Sequence, residues 1–170
     1  HILAKAGEWL APHIPTKQTI IISDTNVARF WLHRLSNALE ACDIQYRSIV
    51  IPAGEQSKSF WQFSELMENL LAQAPDRKTV IIALGGGVVG DLSGFAASVL
   101  LRGIPYIQIP TSLLAQVDSA VGGKTAINSM HGKNLIGSFH QPSLVLTDVA
   151  TLTTLPTREL KAGYAEIVKY

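Results

Sequence analysis

Thr79-Val-Ile-Ile-Ala-Leu-Gly-Gly-Gly-Val-Val-Gly-Asp91 is the stretch on which the fold turns. Thr79 to Leu84 is a short continuous apolar run, the pattern of a strand buried on both faces. It runs straight into Gly85-Gly86-Gly87, and the small-residue segment Val88 to Leu101 that follows reads as a closely packed helix. A literal G-x-G-x-x-G therefore sits between a strand and a helix, where backbone N–H groups can bind a phosphate and glycine lets it approach closely. The match departs from the ordinary dinucleotide fingerprint: it follows the third strand of the chain, and no acidic residue lies about 20 positions on to hold a ribose. Phosphate binding is expected here, without the standard placement.

Working outward, strands and helices alternate. Gln18–Ser23 and Tyr46–Ile51 read as strands, the second stopped by Pro52. Asn26–Ala41 and Ser59–Ala74 show helical apolar spacing. Pro105–Ile109 reads as a further strand, Leu113–Val121 as a helix, and Leu144–Thr147 as a last strand. Such alternation predicts an α/β fold, a doubly wound, mostly parallel sheet with helices on both faces. Arg158–Tyr170 has helical spacing and ends without a glycine or proline cap; with His1 in place of an initiating methionine, a piece of a longer chain is expected.

The 170 residues amount to one domain, which typically spans about 100–200 residues. Hydrophobic residues make up 47% and charged residues only 16%, with 14 basic against 13 acidic. That balance argues against nucleic acid or an anionic membrane as a main partner. One cysteine, Cys42, excludes an internal disulfide framework and suits a reducing, cytoplasmic setting. No apolar run approaches the roughly 18 residues of a membrane span.

Ten of the 13 glycines lie between residues 79 and 137. Asp91, Arg102 and Asp118 are the three charges between Thr79 and Gly123, and they suit surface ends or ligand contacts equally. Gly122-Gly123-Lys124-Thr125 is not a Walker A loop, because position 118, six before the lysine, is aspartate and the segment follows a helix. Lys124, Lys133, Asn128 and Asn134 would suit an anionic, hydroxylated substrate, although a solvated loop is the reading favoured by pattern alone. Glu166 and Lys169 share a helix face, the usual spacing of a surface ion pair worth about 0.2–0.5 kcal/mol. The five histidines show no paired ligand spacing.

Several motifs in order give the chain a resemblance. They are Pro52–Lys58, Gly85–Ser98, Arg102-Gly-Ile, Ile109–Asn128, Gly132–Gly137 and Ala162–Tyr170, and together they closely resemble 3-dehydroquinate synthase over essentially the whole chain. The resemblance implies a Rossmann-like NAD-binding domain over residues 1–155 and, over 156–170, the start of a C-terminal helical domain. It implies a homodimeric shikimate-pathway enzyme that converts 3-deoxy-D-arabino-heptulosonate 7-phosphate into 3-dehydroquinate and phosphate. Catalytic NAD+ and a divalent metal, zinc with cobalt as the alternative, serve that reaction. An alcohol of the substrate is transiently oxidised, which acidifies the neighbouring C–H so that phosphate can leave; the ketone is then reduced back and the ring closes by an aldol step.

By motif, the implied NAD contacts are Asp24, Asn26, Glu55, Lys58, Gly86, Gly87, Val88, Asp91, Thr111, Ser112, Asp118, Lys133, Thr151, Leu152, Thr153 and Thr154. Asp24 or Glu55 would supply the ribose contact missing downstream of the glycine turn. The implied substrate contacts are Arg102, Lys124, Asn134 and Lys169, with Arg102 nearer a neighbouring subunit's site. Glu166 falls on the metal-ligand glutamate, and the remaining ligands are histidines outside this chain. Thr151 stands where a cysteine or aromatic is frequent in the family, and Ser112 where threonine is common. The chain alone is expected to fold and not to turn over. A related sugar-phosphate cyclase such as 2-deoxy-scyllo-inosose synthase, or a non-catalytic nucleotide-binding module, are the rival readings.

Overall fold

A computed structural model describes residues 2–169. Its centre is a five-stranded, all-parallel sheet made of β1 (Gln18–Asp24), β2 (Gln45–Ile51), β3 (Val80–Gly85), β4 (Tyr106–Pro110) and a short last strand, Leu144–Val145. The order across the sheet is β2-β1-β3-β4 and then that last strand. All six residues of β3 are buried, as its unbroken apolar run predicts. Alternate residues serve the two faces. Val80, Ile82 and Leu84 join a core with the N-terminal segment and α2 (Thr25–Glu40), whereas Ile81 and Ala83 join a second core with α4 (Gly87–Val99) and Leu66 and Leu70 of α3 (Phe60–Ala72).

The strand order explains why the glycine turn follows the third strand. In a doubly wound sheet ordered 2-1-3-4, the direction in which successive strands are added reverses between β1 and β3, and ligands bind at the carboxyl ends of the strands at that switch point. Asp24 closes β1 and Gly85 closes β3, so both lie at this crevice.

Four expectations are corrected. The stretch after Gly123, favoured as a solvated loop, is an antiparallel hairpin of β5 (Lys124–Ser129) and β6 (Gly132–Phe139) outside the main sheet. It is held on α4 by the buried Ile127 and by Ser138 Oγ, which donates to Ser98 Oγ at 2.7 Å. Secondly, the helix expected over Leu113–Val121 is present but shorter, over 113–119, and its Ala115–Ser119 portion is wound as a π-helix. Thirdly, α4 ends at Val99, because Leu101 and Arg102 take left-handed backbone angles (φ 51° and 70°) that a helix cannot continue. Fourthly, the last strand of the sheet, β7, covers only Leu144–Val145. The N-terminal segment is also ordered: helical turns at Leu3–Lys5, α1 (Ala6–Leu10) and Ala11–His13 bury Leu3, Ala6 and Leu10, with Ile14 just beyond, against α2. The final helix, α5, runs Thr157–Lys169, and Tyr170 lies outside the described residues. No helix among the described residues is long and apolar enough to cross a membrane.

Candidate cofactor and substrate cleft

The crevice is built around the start of α4. Gly86 precedes the helix and Gly87 opens it. The first N–H groups of any helix lack intrahelical partners, and a helix of 13 residues presents a partial positive charge there. A Cβ added at Gly86 would lie 3.3 Å from Ser112 Oγ, and one added at Gly87 would lie 3.1 Å from Ser119 Oγ. The turn is thus a cradle kept open by missing side chains and faced by two hydroxyls. Its donor set, backbone N–H groups with hydroxyls, fits the pyrophosphate of a dinucleotide. Beneath it the Gln108 side chain approaches Gly90, and its Oε1 is buried without a protein partner.

On the β1 side, Asp24 caps α2: its Oδ1 accepts from Asn26 N at 2.8 Å and Val27 N at 3.0 Å. Asn26 is exposed beside it. The loop after β2 supplies Glu55 and Lys58. Lys58 is buried, and its ammonium donates to Asp91 Oδ2 at 2.6 Å and to Asn134 Oδ1 of β6. Glu55 Oε1 accepts from Asn128 Nδ2 at 2.8 Å, and Lys133 Nζ stands 4.0 Å from the same oxygen. Burial pushes the Asp91 carboxyl above its ordinary value, Lys58 works against that shift, and the nearby charges of Glu55 and Asp118 add to it.

The next room is a cleft of about 480 Å³ between α4, the π-wound turn and the hairpin. Its walls bring together Asp91, Asp118, Lys124 and Asn134, four residues singled out from sequence. With Asp91 engaged by Lys58, Lys124 is the cationic wall of this cleft and Asn134 its amide wall, a pairing suited to an anionic, hydroxylated molecule. Asn134 has φ 57°, a left-handed angle that asparagine tolerates better than most residues.

Other expected residues are placed elsewhere. Arg102 lies past the far end of α4, and 13 residues at 1.5 Å rise put that end about 20 Å from the glycine turn. Glu166 and Lys169 pair with each other on α5 at 2.8 Å. Among the described residues no three histidine, cysteine, aspartate or glutamate side chains converge to hold a metal. One carboxylate beside a lysine does not make such a site, so the residues present do not fit a complete metal centre. Thr111 N donates to Gly85 O at 2.9 Å, and Ser112 Oγ caps the following turn by accepting from Ala115 N at 3.3 Å. In the Val149–Thr154 turn, the Thr151 and Thr153 hydroxyls donate to carbonyls of Asp148 and Ala150, Thr154 Oγ1 donates to Thr151 O, and Leu152 is half-buried.

Sequence reasoning missed what holds that turn. Gln116 Nε2 donates to Pro110 O, Asp148 O and Thr151 Oγ1 at 3.1, 3.3 and 3.2 Å. Trp31 Nε1 donates to Thr154 Oγ1 at 2.8 Å, and the buried Asp148 accepts from Leu3 N and Ala150 N. The only signal was their polarity inside apolar stretches, since every partner but Pro110 and Ala150 is distant in sequence.

Residues 48–162 match the family model described as the 3-dehydroquinate synthase N-terminal domain. The 3-dehydroquinate synthase of Rhodospirillum rubrum is 54% identical over 169 residues, 99% of this chain and 44% of that protein. The one from Nitrosomonas europaea is 55% identical over 163 residues, 96% of this chain and 44% of that protein. This chain therefore spans less than half the length of these relatives. Among solved structures, a 2-deoxy-scyllo-inosose synthase complexed with carbaglucose-6-phosphate, NAD+ and Co2+ superposes with a TM-score of 0.90 at 34% identity, over 99% of this chain and 46% of that one. The 2-epi-5-epi-valiolone synthase of Streptomyces hygroscopicus, with NAD+ and Zn2+ bound, gives 0.85 at 36% identity, over 89% and 42%. A glycerol dehydrogenase from Schizosaccharomyces pombe, 22% identical over 99% of this chain and 40% of that one, shares the fold with a TM-score of 0.76.

Proposed function

This chain belongs to the 3-dehydroquinate synthase family, and from that premise we propose that it forms the nucleotide-binding half, and one wall of the substrate site, of an enzyme that converts 3-deoxy-D-arabino-heptulosonate 7-phosphate into 3-dehydroquinate and phosphate. One observation carries the reading. An open glycine cradle at the switch point leads directly to a cleft that gathers Lys124, Asn134, Asp91 and Asp118.

In this proposal the N–H groups of Gly87 and Val88, with the Ser112 and Ser119 hydroxyls, hold the dinucleotide phosphates. The second oxygen of Asp24 and the Glu55 carboxylate take ribose hydroxyls. NAD+, when bound, supplies reversible oxidation of a substrate alcohol. Lys124 neutralises the substrate's negative charge and Asn134 orients its hydroxyls, so the reacting carbon is held rather than merely captured. Asp118 lies on the same wall within reach of the hydroxyls. Glu166 serves as one metal ligand, and Lys169 with Arg102 completes the anion contacts, Arg102 toward a partner protomer of a homodimer. Residues 1–155 form the NAD-binding domain and 156–170 begin the helical one. A cytoplasmic setting suits these small-molecule partners. The chain alone binds NAD+ and does not turn over.

The test is phosphate release from 3-deoxy-D-arabino-heptulosonate 7-phosphate with NAD+ and Zn2+ or Co2+ supplied. It is measured on this chain and on this chain fused to the C-terminal half of the Rhodospirillum rubrum relative. Turnover by the fusion alone is expected. Release by the unfused chain would overturn the division of labour, and a fusion that acts only on another sugar phosphate would favour a different cyclase.

A further inference from the structure

Asn128 sits where the hairpin ladder breaks. Ile127 pairs with Ile136 and Ser129 with Gly132, and the register shifts between them, leaving Asn128 outside the pairing. Such bulges re-aim a side chain at the expense of a ladder bond. Here the released N–H of Asn128 donates to Lys58 O at 2.8 Å. Its side chain is then used twice: Nδ2 donates to Glu55 Oε1 at 2.8 Å, and Oδ1 accepts from Asn134 N at 2.9 Å. Each half of the amide faces a partner of the opposite kind, which fixes which way it points. By sequence Asn128 would suit a substrate or a solvated loop; in the structure its amide faces Glu55 and Asn134 N.

These bonds join two sides of the crevice that otherwise belong to different elements. Glu55 and Lys58 stand on the loop after β2, which faces the nucleotide in the function proposed above. Asn134 stands on β6 at the wall of the cleft, at φ 57°. We propose that Asn128 is a positioning residue that couples the two: it fixes the left-handed backbone of Asn134 against the substrate while reading the place of Glu55. This inference rests on the proposed function. It adds that nucleotide occupancy at Glu55 and sugar-phosphate binding at Asn134 are linked through one amide, with Lys58 as the parallel tie.

The test uses the fusion described above and three variants. Asn128→Ala removes both side-chain bonds. Asn128→Asp keeps the acceptor for Asn134 N and sets a carboxylate against Glu55. Asn128→Asp combined with Glu55→Gln restores a donor–acceptor pair with the roles exchanged. Loss of a hydrogen bond to a charged group predicts a rise of roughly tenfold to a hundredfold in the sugar-phosphate KM of Asn128→Ala, with a smaller rise in the Kd for NAD+. The double variant is expected to exceed, by about fivefold or more, the kcat/KM that the two single variants would give if additive. A residue that only stabilises the hairpin would lower the melting temperature and act additively. If Asn128→Ala does not fold, the Asn128–Glu55 cycle decides alone. An unchanged KM in Asn128→Ala, or additivity in the cycle, overturns the inference while leaving the proposed function standing. A parent fusion without NAD+-dependent turnover overturns both.

Discussion

Lys58 and Asp91, 33 residues apart in sequence, meet at 2.6 Å and tie the loop after β2 to α4. Only 5% of the lysine side chain and 17% of the aspartate side chain remain exposed, and the same ammonium reaches Asn134. One cation thereby sets the spacing between the loop after β2, α4 and the hairpin.

Replacing that cation should be costly. Breaking a buried pair by removing one partner leaves an uncompensated charge, which destabilises by about 3 kcal/mol. Lys58→Met should show such a loss in urea unfolding, and Lys58→Met with Asp91→Asn should recover part of it. Equal losses in the single and double variants would mean the pair contributes little.

Acid–base behaviour follows from the same contact. Burial raises the Asp91 carboxyl above the ordinary 3.8, so the folded chain holds this proton more tightly than the unfolded chain does. Stability attributable to Asp91 should therefore fall as pH rises from the unfolded value through the raised folded one. Lys58 opposes the shift, so Lys58→Met should extend that window upward. Unfolding titrations of the parent and of Asp91→Asn give the contribution by difference, and parallel curves would contradict it.

Gly87→Ala separates fold from ligand. The position is the first of α4, where part of alanine's helix-interior advantage over glycine of about 1 kcal/mol is gained, but the new methyl would stand in the cradle 3.1 Å from Ser119 Oγ. Melting temperature should hold or rise while affinity for NAD+ drops about tenfold, equivalent to about 1.4 kcal/mol. Calorimetric titration measures the second effect, and unaltered affinity would place the phosphates elsewhere.

Gly94→Ala probes the seat of the hairpin. A Cβ there would fall 2.4 Å from Thr125 Cγ2 and 3.0 Å from the Tyr106 hydroxyl. Overpacking of this kind costs about 1–3 kcal/mol, more than the helix-propensity gain returns. Hydrogen exchange should show β5 and β6 amides loosened and β1 and β3 amides unchanged.

Gly163 does for α5 what Gly94 does for the hairpin. A Cβ there would meet Leu113 Cβ at 2.6 Å and Leu114 N at 2.8 Å, so Gly163→Ala must push α5 away from the turn that begins at Ser112. Faster proteolysis within 157–169 at unchanged sheet stability is expected, and protection equal to the parent would contradict that contact.

The central sheet was legible because β3 is apolar in every position and glycine follows it at once. Its strand order was not, since no local pattern tells whether the third strand lies beside the first. The hairpin hid behind Gly122, Gly123, Gly132 and Gly137 and behind lysines at 124 and 133, which blur the period-two signal of strands. The N-terminal helical turns carried their signal in Leu3, Ala6, Leu10 and Ile14, but Pro12 and Pro15 interrupt it. Lys124, Asn134, Asp91 and Asp118 were found as residue types and do meet. The partnerships of Lys58 with Asp91 and of Asn128 with Glu55 depend on contacts between distant segments, which spacing cannot encode.

The hairpin shares no ladder bond with the five-stranded sheet. Insertions or exchanges at its tip, Met130 and His131, would break no ladder bond of the five-stranded sheet. Under the proposed function, selection could therefore retune sugar specificity on the hairpin while leaving the sheet untouched, with the proposed coupling at Asn128 as the constraint that both must keep.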